Sequence, residues 1–361
     1  MSQTGECRVR PAAAVAGVQA YQVPQFPASI DLRLDGNEGV APPAELLEWA
    51  VQLGPEALRR YPSTRELEAL LAARYGVEPE RVIVTAGGDD ALARACFSTL
   101  GPQREFILPM PTFEMLDRDA HLVGAKVVAV DWPAGPYPTE AVLRAISPRT
   151  GAIGVVTPNN PTGAVAAAAD VRRLAAAAPQ ALLIVDLAYG EFADEDLTPA
   201  ALELPNAIVV RTFSKAWGLA GLRVGYALGP AEIIGWLRAA GSPYPTGNLS
   251  LALAARRMET GEEQMRAFVQ RVRVERVELY QLLRRLGADA LRSQANFLLA
   301  RFRSARRVWE GLATRGIAVR AFWGRPELET ALRITCPGEA DAFARLCAAL
   351  EAVKAADAEA F

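Results

Sequence analysis

Between residues 81 and 228 the chain alternates short, almost wholly apolar runs with stretches whose apolar residues recur at helical spacing. The runs at 81–85 (RVIVT), 105–108, 126–130, 152–157, 181–185 (ALLIV), 207–210 and 223–228 predict strands. The stretches at 66–75, where Leu67, Leu70 and Leu71 fall on one face, and at 89–100, 113–123 and 171–177 predict helices. Strands this apolar must be covered on both faces, which the intervening helices can do, so the pattern predicts an α/β fold built on a mostly parallel sheet. Ligands of such sheets bind beyond the carboxyl ends of the strands.

After Pro230 the pattern changes. Helices dominate to about residue 286, interrupted by a Pro/Gly-rich stretch at 241–247. Short strands at 296–302, 319–322 and 332–335 then mix with helices at 305–315 and 340–353, which reads as a separate, smaller α+β unit. The start of the chain, with Pro11, Pro24 and Pro27, reads as an irregular arm. The expected organisation is an N-terminal arm over 1–36, a large α/β domain over 37–240 and a small α+β domain over 241–361 that takes in part of the arm.

Composition narrows the chemistry. The 361 residues carry 39 Lys+Arg against 41 Asp+Glu, for a net charge of −2, so no basic excess exists for nucleic acid. With His121 as the one histidine, no metal site needing two imidazoles can form within the chain. His121 itself, beside Leu122 and Val123 on a predicted helix, reads as a surface or packing residue. Cys7, Cys96, Cys336 and Cys347 form no CxxC pair, as expected of structural thiols in a reducing compartment. No apolar run approaches the ~18 residues of a membrane span. The stretch after Arg8 and Arg10 is too short and too rich in Ala and Gly for an export signal. A cytoplasmic location is expected.

Four segments each follow a predicted strand: AGGDD at 86–90, TPNNPTG at 157–163, DLAYGEF at 186–192 and TFSKAWGLAGLRVGY at 212–226. Lys215 lies between a core strand and Trp217; a lysine held in a partly apolar pocket can form a Schiff base, although by itself it could equally be solvated. Asp186 ends a buried strand, where a carboxylate needs a partner: a structural cation, a helix N-terminus, or the protonated pyridine nitrogen of a cofactor. Gly87-Gly88-Asp89 opens a helix whose backbone N–H groups could hold a phosphate, or it could be only a tight turn.

In this order and spacing the four segments resemble those of the fold-type I, pyridoxal-phosphate-dependent class I/II aminotransferases. SKAWGLAGLRVGY is similar to that family's lysine signature and NNPTG to its asparagine loop. Within the family, Tyr21 ahead of LRLDGNE, YPSTRELEALLAARYGV at 61–77, GIAVR at 316–320 and ALRIT at 331–335 resemble the histidinol-phosphate aminotransferase group. The resemblance implies a large domain with a mostly parallel seven-stranded sheet, a small α+β domain and a homodimer with shared active sites.

It also implies roles. Lys215 would carry pyridoxal 5'-phosphate and move the proton, and Asp186 would pair with the pyridinium. Tyr189 and Asn160 would bond the ring hydroxyl, and Phe113 would cover the ring face. Thr212, Ser214, Arg223 and the backbone of Gly88 and Asp89 would hold the phosphate, joined by Tyr61 from a neighbouring subunit. Arg333 would meet the substrate's anionic group, with Arg320, Tyr21 and Asn37 near the substrate. The amino donor would be histidinol phosphate or a related amino acid, and the acceptor a 2-oxo acid such as 2-oxoglutarate.

Three departures surround the site: Leu187 replaces an acidic residue, Phe113 a tyrosine, and Gly39-Val40 an Asn-Pro pair. They bear on the substrate more than on the chemistry. They leave open an aromatic or other amino-acid aminotransferase, an amino-acid phosphate decarboxylase on the same fold, or a non-catalytic sensor. Intact Lys215, Asp186, Asn160 and Arg223 weigh against the last.

Overall fold

The computed structural model describes residues 9–16, 18 and 25–361. Tyr21 and Cys7 lie outside the described residues. Among the described residues twelve strands form two sheets. In chain order they are β1 (Leu32–Leu34), β2 (Val82–Thr85), β3 (Glu105–Met110), β4 (Lys126–Asp131), β5 (Thr150–Val156), β6 (Leu182–Asp186), β7 (Ala207–Thr212), β8 (Gly225–Leu228), β9 (Asp289–Ala290), β10 (Phe297–Arg301), β11 (Ile317–Ala321) and β12 (Ala331–Thr335).

The seven-stranded sheet has the order β2-β8-β7-β6-β5-β3-β4. All its pairings are parallel except the two made by β8, which runs against both neighbours. Every residue of β5, β6 and β7 is buried, because helices cover both faces of the sheet. Ile83, Phe106, Ile184 and Val210 face one core with Leu92, Leu116 and Ile234, while Val84, Ile107, Val185 and Val209 face the other. The carboxyl ends of β2, β3, β5, β6 and β7 therefore open on one edge, with their loops gathered there. Among the described residues no helix is long and apolar enough to cross a membrane.

The second sheet has the order β1-β11-β12-β10-β9. It is antiparallel apart from β1, which pairs in parallel with β11. The long helix Glu262–Leu286 and the helices Ala305–Ala313 and Ala340–Ala356 pack with it. All seven strands expected between 81 and 228 are present. β1 and β9 were not expected, being too short for a periodic signal. One boundary is corrected: Arg223, expected to open a strand, sits instead in a left-handed turn at φ 53°, and β8 begins at Gly225. There β8 presses on the start of helix Gly87–Thr99, and a Cβ on Gly225 would lie 2.4 Å from the Gly87 carbonyl carbon, so no side chain fits.

Candidate active site

The strand ends and the small sheet enclose a cavity of about 480 Å³. Lys215 follows β7 and enters it from the loop, donating from Nζ to the Gly36 carbonyl at 2.8 Å. Its ammonium also stands 5.8 Å above the Tyr189 ring. Asp186, the last residue of β6, is 4% exposed. Its Oδ1 accepts the Ala188 N–H at 2.9 Å. Burial pushes its carboxyl up to about 7, only partly opposed by that hydrogen bond and by the charge of Lys215. A desolvated carboxylate without an ion pair among the described residues is what a cationic ring N–H would stabilise.

A second corner could hold a phosphate. Thr212 and Ser214 share a hydrogen bond at 3.0 Å, and Arg223 Nη1 reaches Ser214 Oγ at 3.4 Å. Arg223 Nη2 pairs with Asp89 at 2.9 Å across the opening of helix Gly87–Thr99. Gly87 has φ +83°, and a Cβ there would lie 2.6 Å from Arg223 Nη2. Its missing side chain lets the guanidinium lie beside the helix start, where backbone N–H groups already favour an anion. Gly88, Asp89, Thr212, Ser214 and Arg223 all line the cavity.

The third wall joins the two sheets. Arg333 on β12 is 7% exposed and donates from Nη1 to Asn160 Oδ1 at 2.7 Å and from Nη2 to the Asp35 carbonyl at 2.5 Å. Arg320 lies directly across from it on β11 and reaches Glu114 at 3.4 Å. Phe113, which caps helix Glu114–Leu122, lines the same space.

Two expected site residues stand elsewhere. Asn37 is not on the cavity wall: it is buried behind Tyr189, donating from Nδ2 to the Tyr189 hydroxyl at 2.9 Å and accepting from Thr335 Oγ1 at 2.7 Å. Tyr61 is 80% exposed, outside this cavity, and stacks on Tyr244 with ring centroids 4.6 Å apart. Tyr21 lies outside the described residues. Conversely, Glu114, Arg118 and Arg325 line the cavity and had not been singled out. A charged residue on a polar helix face gives no sequence signal that it faces a cleft. His121 fits its expected place, half exposed on its helix with Nδ1 against the Asp117 carbonyl at 2.7 Å.

The residues present fit pyridoxal phosphate: an amine, a buried carboxylate without an ion pair, an aromatic wall and a basic, glycine-opened helix start share one cavity. Comparison with known proteins agrees. A model of the aminotransferase class I and II family matches residues 33–350. The chain is 35% identical over 318 residues to a histidinol-phosphate aminotransferase of Paracoccus denitrificans, covering 86% of each chain. It is 34% identical to one of Granulibacter bethesdensis, covering 84% of each. In fold it is similar to the histidinol-phosphate aminotransferase of Sinorhizobium meliloti solved with pyridoxal-5'-phosphate, at TM-score 0.81 and 23% identity over 91% of this chain and 92% of that one. This chain belongs to the class I and II aminotransferase family, whose members are pyridoxal-phosphate-dependent enzymes of transamination.

Proposed function

We propose that the chain moves the amino group of histidinol phosphate to 2-oxoglutarate in two half-reactions at this one cavity. The observation that carries the reading is the placing of Arg320 and Arg333 side by side on adjacent strands, on the same cavity as Lys215. One arginine can hold the anion common to donor and acceptor while the other reads the distal group. The names of the relatives favour histidinol phosphate as donor.

Pyridoxal phosphate, when bound, supplies an electrophilic carbon and an electron-withdrawing ring. Lys215 Nζ is the group that would hold it covalently. When not bonded to it, the same nitrogen would be the base that takes the proton from the substrate carbon bearing the amino group and holds it on Nζ. The Gly36 carbonyl, 2.8 Å from Nζ, fixes where that base rests. Asp186 would keep the ring nitrogen protonated. Because Arg333 can only donate, it occupies Asn160 Oδ1 and leaves Asn160 Nδ2 to donate to the ring hydroxyl, alongside Tyr189. Asn37, by holding the Tyr189 hydroxyl, positions that phenol. Thr212, Ser214, Arg223 and the Gly88 and Asp89 amides would hold the cofactor phosphate, and Phe113 would cover the ring.

Tyr61 belongs to the same reading through a second copy of this chain. It is too exposed to serve the cavity described here, and Leu47, Val51 and Leu58 are exposed on the neighbouring segments. A homodimer would cover those apolar side chains and bring Tyr61 to the other subunit's phosphate corner.

The decisive experiment mixes the cofactor-loaded protein with histidinol phosphate and no 2-oxo acid, following the cofactor's absorbance. Stoichiometric conversion to the pyridoxamine form supports the reading. If an amino acid converts the cofactor and histidinol phosphate does not, the donor is wrong and the transamination stands.

A further inference from the structure

Arg118 is a charge that the roles above leave unused. It lies one helical turn beyond Glu114 on helix Glu114–Leu122, and residues at that spacing share a helix face. Glu114, Met115 and Arg118 all line the cavity. Among the described residues Arg118 makes no ion pair. Its one hydrogen bond runs from Nη1 to the Met115 sulfur at 3.8 Å, and its Nε is buried with no hydrogen-bond partner. A guanidinium carries five N–H donors and cannot shed its charge, so a thioether is a poor partner for it. The neighbouring Asp119 is not a close partner: it forms no ion pair with Arg118 among the described residues, its Oδ2 is buried without a hydrogen-bond partner, and burial pushes its carboxyl up to about 6, only partly opposed by the charge of Arg118.

Glu114 ties this arginine to the donor end of the cavity. It contacts Arg320 at 3.4 Å and Arg325 at 3.8 Å, so two guanidinium groups meet this carboxylate and Arg118 stands one turn along the same helix face. We propose that Arg118 is a specificity-determining residue of this site, engaging a distal anionic group on the amino donor that Arg320 and Arg333 alone do not neutralise. The inference rests on the reading that the cavity takes an amino donor with a distal group. A distal phosphate and a distal carboxylate share the chemistry it recognises, and the choice of donors separates them.

The test compares cofactor-loaded wild type with Arg118→Met, which keeps the bulk, and Arg118→Lys, which keeps the charge. Single-turnover rates against concentration of histidinol phosphate, glutamate and unphosphorylated histidinol separate binding from chemistry. Calorimetry with inorganic phosphate on the loaded enzyme gives a readout independent of turnover. Loss of a charge-assisted contact should weaken histidinol phosphate roughly tenfold to a hundredfold in Arg118→Met, with partial recovery in Arg118→Lys and no change for histidinol. Weakening of glutamate instead assigns the site to a carboxylate. Equal effects on charged and uncharged donors, or no effect on any of them, overturn the proposal. If wild type turns over none of these donors, the donor reading has failed, and phosphate calorimetry still decides the role of Arg118: weaker binding in Arg118→Met supports it and unchanged binding overturns it.

Discussion

Arg320 and Arg333 are directly opposed residues of the antiparallel β11–β12 pair, so both side chains leave the same face of the small sheet. Like charges so placed repel unless anions lie between or beside them. Arg333 is held by Asn160 and the Asp35 carbonyl, Arg320 by Glu114. An anionic group entering the cavity would meet both guanidinium groups, which line it.

From this arrangement Arg333→Ala should lower kcat/KM for donor and 2-oxo acid alike, by roughly tenfold to a hundredfold, since a hydrogen bond to a charged group contributes about 1.5–3 kcal/mol. Arg320→Ala should act mainly on a phosphorylated donor. Steady-state kinetics with each substrate varied in turn would show it. Equal losses from both substitutions on every substrate would mean that the two arginines act as one unit.

Covalent attachment is expected at Lys215. Borohydride reduction of the cofactor-loaded protein, followed by digestion and mass spectrometry, should place the added mass on the peptide containing Lys215. Lys215→Ala should lose both the label and the yellow absorbance, and a label on another lysine would refute the assignment.

Asp186 gives a pH signature in the cofactor-free protein. Burial raises its folded-state pKa from 3.8 to about 7, so between those values the fold holds a proton that the unfolded chain has released. Stability should therefore fall as pH rises through that window and level off above it. At about 1.4 kcal/mol per unit the effect amounts to roughly 2–4 kcal/mol. Asp186→Asn should be more stable than wild type without cofactor at pH 8, by urea unfolding, yet transaminate far more slowly once loaded. Glu275, also raised to about 7, titrates in the same window, so the difference between wild type and variant, and not the raw slope, is the quantity to measure.

Shared sites can be tested by complementation. If two copies share their sites as proposed, mixing Lys215→Ala with Tyr61→Phe subunits should yield heterodimers in which one site carries both defects and the other neither. Activity above the mean of the two parents is the expected result. An active species that sediments as a monomer at assay concentration would remove the role given to Tyr61.

The sequence by itself determined the strands of the large sheet, because a strand buried on both faces must be apolar along its whole length, as ALLIV and AIVVRT are. It also marked Lys215 and Asp186 as candidates, because polar residues at or just after the ends of such runs stand where strand-end loops assemble, whereas Asn160 and Arg223 were marked by the resemblance of their segments to a known family. Periodicity records which positions are buried, but not which strand lies beside which. The opposition of Arg320 and Arg333 depends on backbone pairing between β11 and β12, and the addition of β1 to β11 joins segments far apart in the chain. The same limit moved Asn37 from the cavity wall to the back of Tyr189. Glu114, Arg118 and Arg325 became site residues only when a helix of one sheet's layer met a loop of the other, since a charge on a solvated helix face and a charge facing a cavity look alike until the neighbouring surface is in place.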